Sequence, residues 1–280
     1  MKPIQNIIVI SDTHLGCQLA VCVPRLKLDG AGYYQASRLQ KKLYKWWQIF
    51  WEEWVPNATR EEDFILVHNG DIIDGVHHGA VTQISHNIED QRKLAIEMLE
   101  PIVKMPKCKG YYQIRGTEVH VGKSGQDEEG IARELGSIKD EDGLYSRYDL
   151  WLKFGKNKLL THFSHHIGVT NSAAYESTAV HKELIESYAE AGRWKLESPD
   201  CVVRSHRHRF YKVELPAENT NAISVVTPSW QLKTPFVWRM GMGRSSTPQI
   251  GGIIIREGNE VPIYVRHKIW NVARSKEVVI

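Results

Sequence analysis

Five times along this chain a short apolar run ends on Asp, Glu or His. The runs are Asn6–Ser11 (NIIVIS, then Asp12), Phe64–Asp71 (FILVHNGD), Gly110–Glu118 (GYYQIRGTE), Asn157–His166 (NKLLTHFSHH) and Cys201–His208 (CVVRSHRH). Their length and β-branched content mark buried strands. Between them lie segments of helical period: Tyr34–Val55, with Trp46, Phe50 and Trp54 at i, i+4 and i+8, then Ile88–Val103 and Ala179–Trp194. Strands alternating with helices predict an α/β fold. In layered α/β folds, sites form where loops leave the carboxyl ends of strands, which is where these acids and imidazoles fall.

The rest of the chain is read more simply. Tyr145–Gly155 alternates apolar and polar residues ahead of a Lys-Asn pair, the pattern of a hairpin. After Phe210 the chain is strand-rich, and the Gly-, Ser- and Pro-rich stretch Gly241–Gly252 is the expected flexible loop. The tryptophan-rich face of Tyr34–Val55 reads as core packing rather than a base-stacking platform, because such platforms sit on exposed sheets or grooves. With no repeat or linker, residues 1–280 read as one domain, with 211–280 completing a second sheet.

Composition narrows the class. A chain 42% hydrophobic and 25% charged reads as an ordinary globular protein. A net charge of +3 does not by itself argue for a nucleic-acid partner. Cys17, Cys22, Cys108 and Cys201 lack CxxC spacing, so neither a zinc ribbon nor a disulfide framework is suggested. The first apolar run is too short for a signal peptide or membrane span, so a cytoplasmic location without a membrane partner is expected.

Many of the thirteen histidines lie in DTH, VHHG, EVH, HFSHH and SHRH, and histidine clustered with aspartate suggests transition-metal chemistry. Asp12 and His14 are two apart, as are His206 and His208. On extended chain such pairs share a face and can reach one ion. Asp71 is placed to bind metal as its strand ends and to bridge two ions; Asp74 is placed to start a turn or orient a histidine. Carboxylate with imidazole suits Zn, Mn, Fe or Ni rather than Ca or Mg alone. Pairs of such ions about 3.5–4 Å apart are a recurrent device for cleaving phosphoesters. His77, His78, His86 and His181 read as surface or packing residues.

The blocks DTH, NGDIID, RGTEVH, HFSHH and SHRH, in that order, resemble the calcineurin-like metallophosphoesterases. That family carries D-x-H, G-D-x-x-D, G-N-H-D/E, a lone His after a strand, and G-H-x-H. The wording RGTEVHVG, SHHIG and RSHRHR is similar to members encoded by bacteriophages and prophages. The resemblance implies a four-layer α/β/β/α sandwich with mixed sheets and a two-metal site between them. It places Asp12, His14, Asp71 and His208 on one metal. Asp71, a residue of RGTEVH, a histidine of HFSHH and His206 fall on the other. His165 is favoured over His162 and His166.

Two departures stand out. Where the family has Gly-Asn-His, this chain has Gly116-Thr117-Glu118-Val119-His120. In the favoured assignment Glu118 is the ligand and His120 the catalytic histidine. In the alternative, Thr117 faces the metal and Glu118 replaces the histidine. Ser205 stands where the family has Gly. The resemblance implies attack of a metal-bridging hydroxide on phosphorus, with His120 assisting the leaving oxygen. The expected substrate is a phosphodiester in DNA, RNA or a nucleotide, with Arg207 and Arg209 as its contacts. Manganese is the first expected metal, with zinc, iron or nickel as alternatives. A phosphomonoesterase acting on protein or metabolite, and a catalytically degenerate metal-containing binding module, are the other expectations.

Overall fold

Each of the five runs forms a strand, and each strand stops before the residues that gather at its carboxyl end: Asp12, Asp71, Thr117, His165 and His206. In this computed structural model the described residues are 3–272 apart from 31, 78, 169–171, 218–219, 241–246 and 259–261. The strands are β1 (Asn6–Ile10), β2 (Arg25–Leu28), β3 (Gly32–Gln35), β4 (Phe64–Asn69), β5 (Cys108–Ile114), β6 (Ser146–Arg147), β7 (Asp149–Phe154), β8 (Leu159–Ser164), β9 (Cys201–Arg204), β10 (Tyr211–Ala217), β11 (Thr220–Val226), β12 (Gln249–Glu257) and β13 (Ile263–Asn271). The helices are α1 (Arg38–Ile49), α2 (Val55–Thr59), α3 (Ile88–Val103), α4 (Glu118–Val121), α5 (Gln126–Glu134), α6 (Glu176–Trp194) and α7 (Pro235–Met240).

Two mixed sheets result. The first has the order β13-β12-β1-β4-β5-β6, the second β10-β11-β9-β8-β7. In the first, β1, β4, β5 and β6 run parallel while β12 and β13 are antiparallel additions. In the second, β8, β9 and β11 run parallel between antiparallel edges β7 and β10. The segment after Phe210 is therefore divided. Strands β10 and β11 extend the second sheet, but β12 and β13 return to β1, which corrects the expectation that it serves the second sheet alone. Residues 241–246 of the expected flexible loop lie outside the described residues, and Gly251 and Gly252 lie within β12.

Period-2 alternation explains the packing. In β1, Ile7 and Val9 join Phe163, Val203 and Val225 of the second sheet, while Ile8 and Ile10 join Leu43, Phe50, Leu94 and Leu99 of the helices. Across the second sheet, Val202 and Ala222 meet Leu184 of α6. The helix expected over Tyr34–Val55 begins at Arg38, where Ser37 and Gln40 form a capping box. Phe50–Trp54 then wind as a wider π-turn. That turn rotates the stripe, so Trp47, Phe50, Trp51 and Val55 are buried while Trp46 and Trp54 are only partly so. Among the described residues no helix is long and apolar enough to cross a membrane.

Candidate metal centre

Five of the polar residues beyond the strands have left-handed backbone. φ is 49° at Asp12, 41° at His14, 55° at Asp71, 68° at His206 and 54° at His208. This corrects the reading of i, i+2 pairs on extended chain: the side chains converge because the backbone coils at alternate residues. Each such non-glycine residue costs on the order of 1–2 kcal/mol and persists only where its surroundings hold it. Here Asp12 N donates to Gly70 O at 2.9 Å, His14 N to Asp71 O at 3.1 Å, and Trp230 N to Asp12 O at 3.1 Å. Ser205 uses the hydroxyl a glycine would lack. It accepts from Asn69 Nδ2 at 2.7 Å and shares a hydrogen bond with Thr227 at 2.7 Å, tying together the exits of β4, β9 and β11.

Two ligand-like groups form side by side. Asp12, His14 and His208 bring one donor atom each to within 4.8 Å of one another, and Asp71, His165 and His206 do the same. In the first, His14 Nε2 and His208 Nε2 lie 3.1 Å apart, with Asp12 Oδ1 3.2 Å from His208 Nε2. In the second, His165 Nε2 is 3.0 Å from Asp71 Oδ2. The groups adjoin: His14 Nε2 is 3.9 Å from Asp71 Oδ2, and His165 Nε2 is 4.0 Å from Asp12 Oδ1. Asp71 thus faces both groups, as a bridging carboxylate must. His165 Nδ1 donates to Asn69 O at 2.7 Å, which turns Nε2 toward the carboxylates. His162 faces elsewhere, stacked on Trp151 at 4.1 Å. The His166 ring lies 5.4 Å from that of His206, outside both groups.

The residues fit a pair of cations. Buried Asp12 Oδ1 and His14 Nδ1 make no hydrogen bond. Facing imidazole nitrogens beside carboxylates form a mixed N/O donor set suited to first-row divalent metals. Burial would raise Asp12 and Asp71, but His208 and His165 hold Asp12 low, and His165, His120 and His14 hold Asp71 low. Burial pushes His165 down, yet Asp71 and Asp12 carry it up to about 10. Burial with the neighbouring His14 takes His120 down to about 4, and burial with His165 takes His206 down to about 4.

The RGTEVH segment departs from the favoured assignment. Glu118 is exposed at the start of α4 and joins neither group. Thr117 stands there instead. Its N–H donates to Asp71 Oδ1 at 2.6 Å, and its hydroxyl lies 3.2 Å from Asp71 Oδ2, 3.2 Å from His206 Nδ1 and 3.4 Å from His165 Nε2. The cause is local: Thr117 is the N-cap of α4 and has extended backbone, so its side chain faces the strand ends and the next residue turns outward. His120 forms a third group with His14 and Asp74. Its Nδ1 donates to Asp74 O at 2.7 Å. Arg207 and Arg209 are held by Glu176: Arg207 Nη1 donates to its carbonyl at 3.0 Å, and Arg209 Nη1 pairs with its carboxylate at 2.6 Å.

Asp74 stands where the sequence places a residue able to orient a histidine, but the glutamines that hold it, His77 and Glu128 were missed. Asp74 accepts from Gln83 Nε2 at 2.9 Å and Gln231 Nε2 at 3.1 Å and stands 3.6 Å from His14 Nδ1. His77, read above as surface or packing, lies with its ring 4.4 Å from His120; His78 lies outside the described residues. Glu128 is fully buried and accepts from Ile72 N, Gly116 N and Gln113 Nε2. Only paired polar spacing could have suggested the glutamines, and an acidic helix gave no hint of Glu128.

Two predictions arise here. A Cβ on Gly116 would overlap the backbone nitrogen and Oδ1 of Asp71. Gly116→Ala should therefore displace Asp71 and weaken metal affinity at least tenfold by titration calorimetry; unchanged affinity would refute the crowding argument. The second concerns His68, fully buried, with Nε2 3.0 Å from Thr13 Oγ1. Burial presses it from 6.5 to about 3. A folded value below the unfolded one means stability present above pH 6.5 and lost as pH falls toward 3, at up to about 1.4 kcal/mol per unit. The unfolding free energy of wild type minus that of His68→Gln should fall by about 3 kcal/mol between pH 6.5 and 4. Parallel pH profiles would contradict it.

No family model and no curated protein matches the chain. Solved structures do. Vps29 of Chaetomium thermophilum is 10% identical over 98% of this chain and 97% of its own, with a TM-score of 0.37. A Streptococcus pneumoniae protein described as a predicted phosphoesterase is 11% identical over 96% and 98%, with a TM-score of 0.36. A hypothetical protein from Thermus thermophilus is 10% identical over 95% and 99%, with a TM-score of 0.41. Likeness this distant carries no argument about what this chain does; the site does.

Proposed function

We propose that this chain is a dinuclear metal-dependent phosphoesterase of the calcineurin-like type that cleaves phosphodiesters of nucleic acids or nucleotides. The observation that carries it is the pair of adjoining groups, Asp12/His14/His208 and Asp71/His165/His206, with Asp71 facing both. Core clusters in the order helix, sheet, sheet, helix support the four-layer architecture of that family. The motif wording supports a phage-type member, and the mixed carboxylate and imidazole donor set suits manganese, zinc, iron or nickel.

When bound, two divalent cations supply charge neutralisation at the phosphoryl oxygens and an activated water nucleophile. The chain's own groups do the rest. Thr117 would take the place of the family's amide ligand, through a hydroxyl already beside Asp71 and His206. His120 donates through Nδ1 to Asp74 O, so its Nε2 is the end that meets substrate. With its value near 4 it is neutral at pH 7. To protonate a leaving oxygen it must first take up a proton, which an anionic phosphoester beside it favours.

Hydrolysis of bis-p-nitrophenyl phosphate by Mn2+-loaded protein, against a chelated control, tests the reading. Chelator-sensitive release of p-nitrophenol is the expected result. Protein shown to hold two metals per chain that cleaves neither this diester nor p-nitrophenyl phosphate would overturn it. That outcome would leave a binding module, the reading the Thr117 departure favours.

A further inference from the structure

The segment that lines one side of the metal centre continues into two exposed aromatic rings. Trp230 N donates to Asp12 O, and Gln231 Nε2 donates to Asp74 Oδ1. Two residues on, at most about 7 Å of chain, comes Lys233. Its ammonium lies 4.6 Å from the ring of Trp238 on α7. Trp238 is 55% exposed and Phe236 46%. Arg239 beside them is exposed.

Cations outnumber acids along the segment that carries these rings. The whole chain holds 36 Lys and Arg against 33 acids, but Cys201 to Arg256 holds eight against two, Glu214 and Glu218. Four of the eight meet acids, Arg204 with Glu183, Arg256 with Glu62, Arg209 with Glu176 and Lys212 with Glu214, while Lys233 and Arg239 lie at the rings. Lys233 and Arg209 stand close enough that Arg209, after burial, lowers the lysine's proton affinity. Exposed aromatic faces beside cations, at the edge of a site for phosphoesters, match a ligand with flat rings on a polyanionic backbone. A duplex buries those rings within its own stack, so the strand must be single.

We propose that Trp238 and Phe236, with Lys233 above Trp238, form a stacking platform for unpaired nucleobases of a single-stranded nucleic acid whose neighbouring phosphodiester enters the metal centre. The identity of the cleaved bond rests on the function proposed above; the binding of the base does not.

The test is fluorescence anisotropy of a labelled single-stranded oligonucleotide and its duplex, in chelator so that nothing is cut. Wild type should bind the single strand more tightly, and Trp238→Ala should weaken that binding about tenfold or more. Trp238→Phe, which keeps a stacking face, should recover most of it. Thermal unfolding run alongside shows whether each variant is folded. If Trp238→Ala unfolds early, the phenylalanine variant decides: tight binding supports the platform and weak binding by a folded protein overturns it. No single-strand binding by wild type, preference for duplex, or equal binding by wild type and folded Trp238→Ala would each overturn it. Binding as described by a protein that fails to cleave bis-p-nitrophenyl phosphate leaves the platform standing and removes the phosphodiesterase.

Discussion

Asp71→Asn should abolish chelator-sensitive hydrolysis, lowering kcat by about a thousandfold or more, in a chain that still folds. That factor is about 4 kcal/mol of transition-state stabilisation, the scale on which a preorganised electrostatic contact acts. Asp71 is the carboxylate that meets both groups, 3.0 Å from His165 Nε2 and 3.9 Å from His14 Nε2. An amide of the same shape keeps the packing but offers one weaker ligand oxygen in place of a bridging pair. It also removes the charge that holds His165 at about 10. Metal analysis should show fewer than two ions per chain. NMR titration of the chelated protein should show the His165 ring losing its proton well below pH 10. An Asn variant that keeps two ions and wild-type turnover would remove Asp71 from the bridging role, and with it the best support for a dinuclear centre.

Much of this centre was readable because parallel strands make it so. A buried run has no polar face, so its first polar residues mark the strand exit, and parallel strands bring their exits to one end. That is why Asp12, Asp71, His165 and His206 meet. What the residues could not announce was the backbone between them. Asp and His visit left-handed φ more often than most residues, yet nothing in DTH or SHRH distinguishes such a turn from extended chain. Glu118 went astray for a related reason. Spacing from Gly116 favoured it, but the start of α4 at that residue turns it to solvent and leaves Thr117 facing Asp71. The return of β12 to β1 pairs Asn6 with Arg256, a contact between chain ends that no local pattern encodes. Glu128 was hidden by company: Asp127 and Glu129 flank it, and three acids in a row read as a solvated helix face.

Glu128→Ala should cost about 4 kcal/mol of unfolding free energy near pH 5 and loosen the metal centre. The carboxylate accepts from Ile72 N at 3.1 Å, Gly116 N at 2.7 Å and Gln113 Nε2 at 3.2 Å, so it anchors the exits of both β4 and β5. Each buried donor left without a partner costs about 1–3 kcal/mol. The sum is reduced because at pH 5 the group is a neutral carboxyl, a weaker acceptor than a carboxylate: burial, then Asp71, raises Glu128 from 4.5 to about 8. A folded value above the unfolded one means a contribution fully present below pH 4.5 and lost as pH rises through 8. The gap between wild type and Glu128→Ala should therefore narrow from pH 5 to pH 8, by up to about 1.4 kcal/mol per unit. Glu128→Gln keeps one acceptor oxygen and the side-chain volume, so it should lie between the two at pH 5 and approach wild type at pH 8. Urea unfolding of the chelated proteins at both values measures this. A loss below 1 kcal/mol for the alanine variant at pH 5 would mean that water or a shifted backbone replaces the carboxylate. Asp71 and Thr117 would then owe their positions to the strands alone.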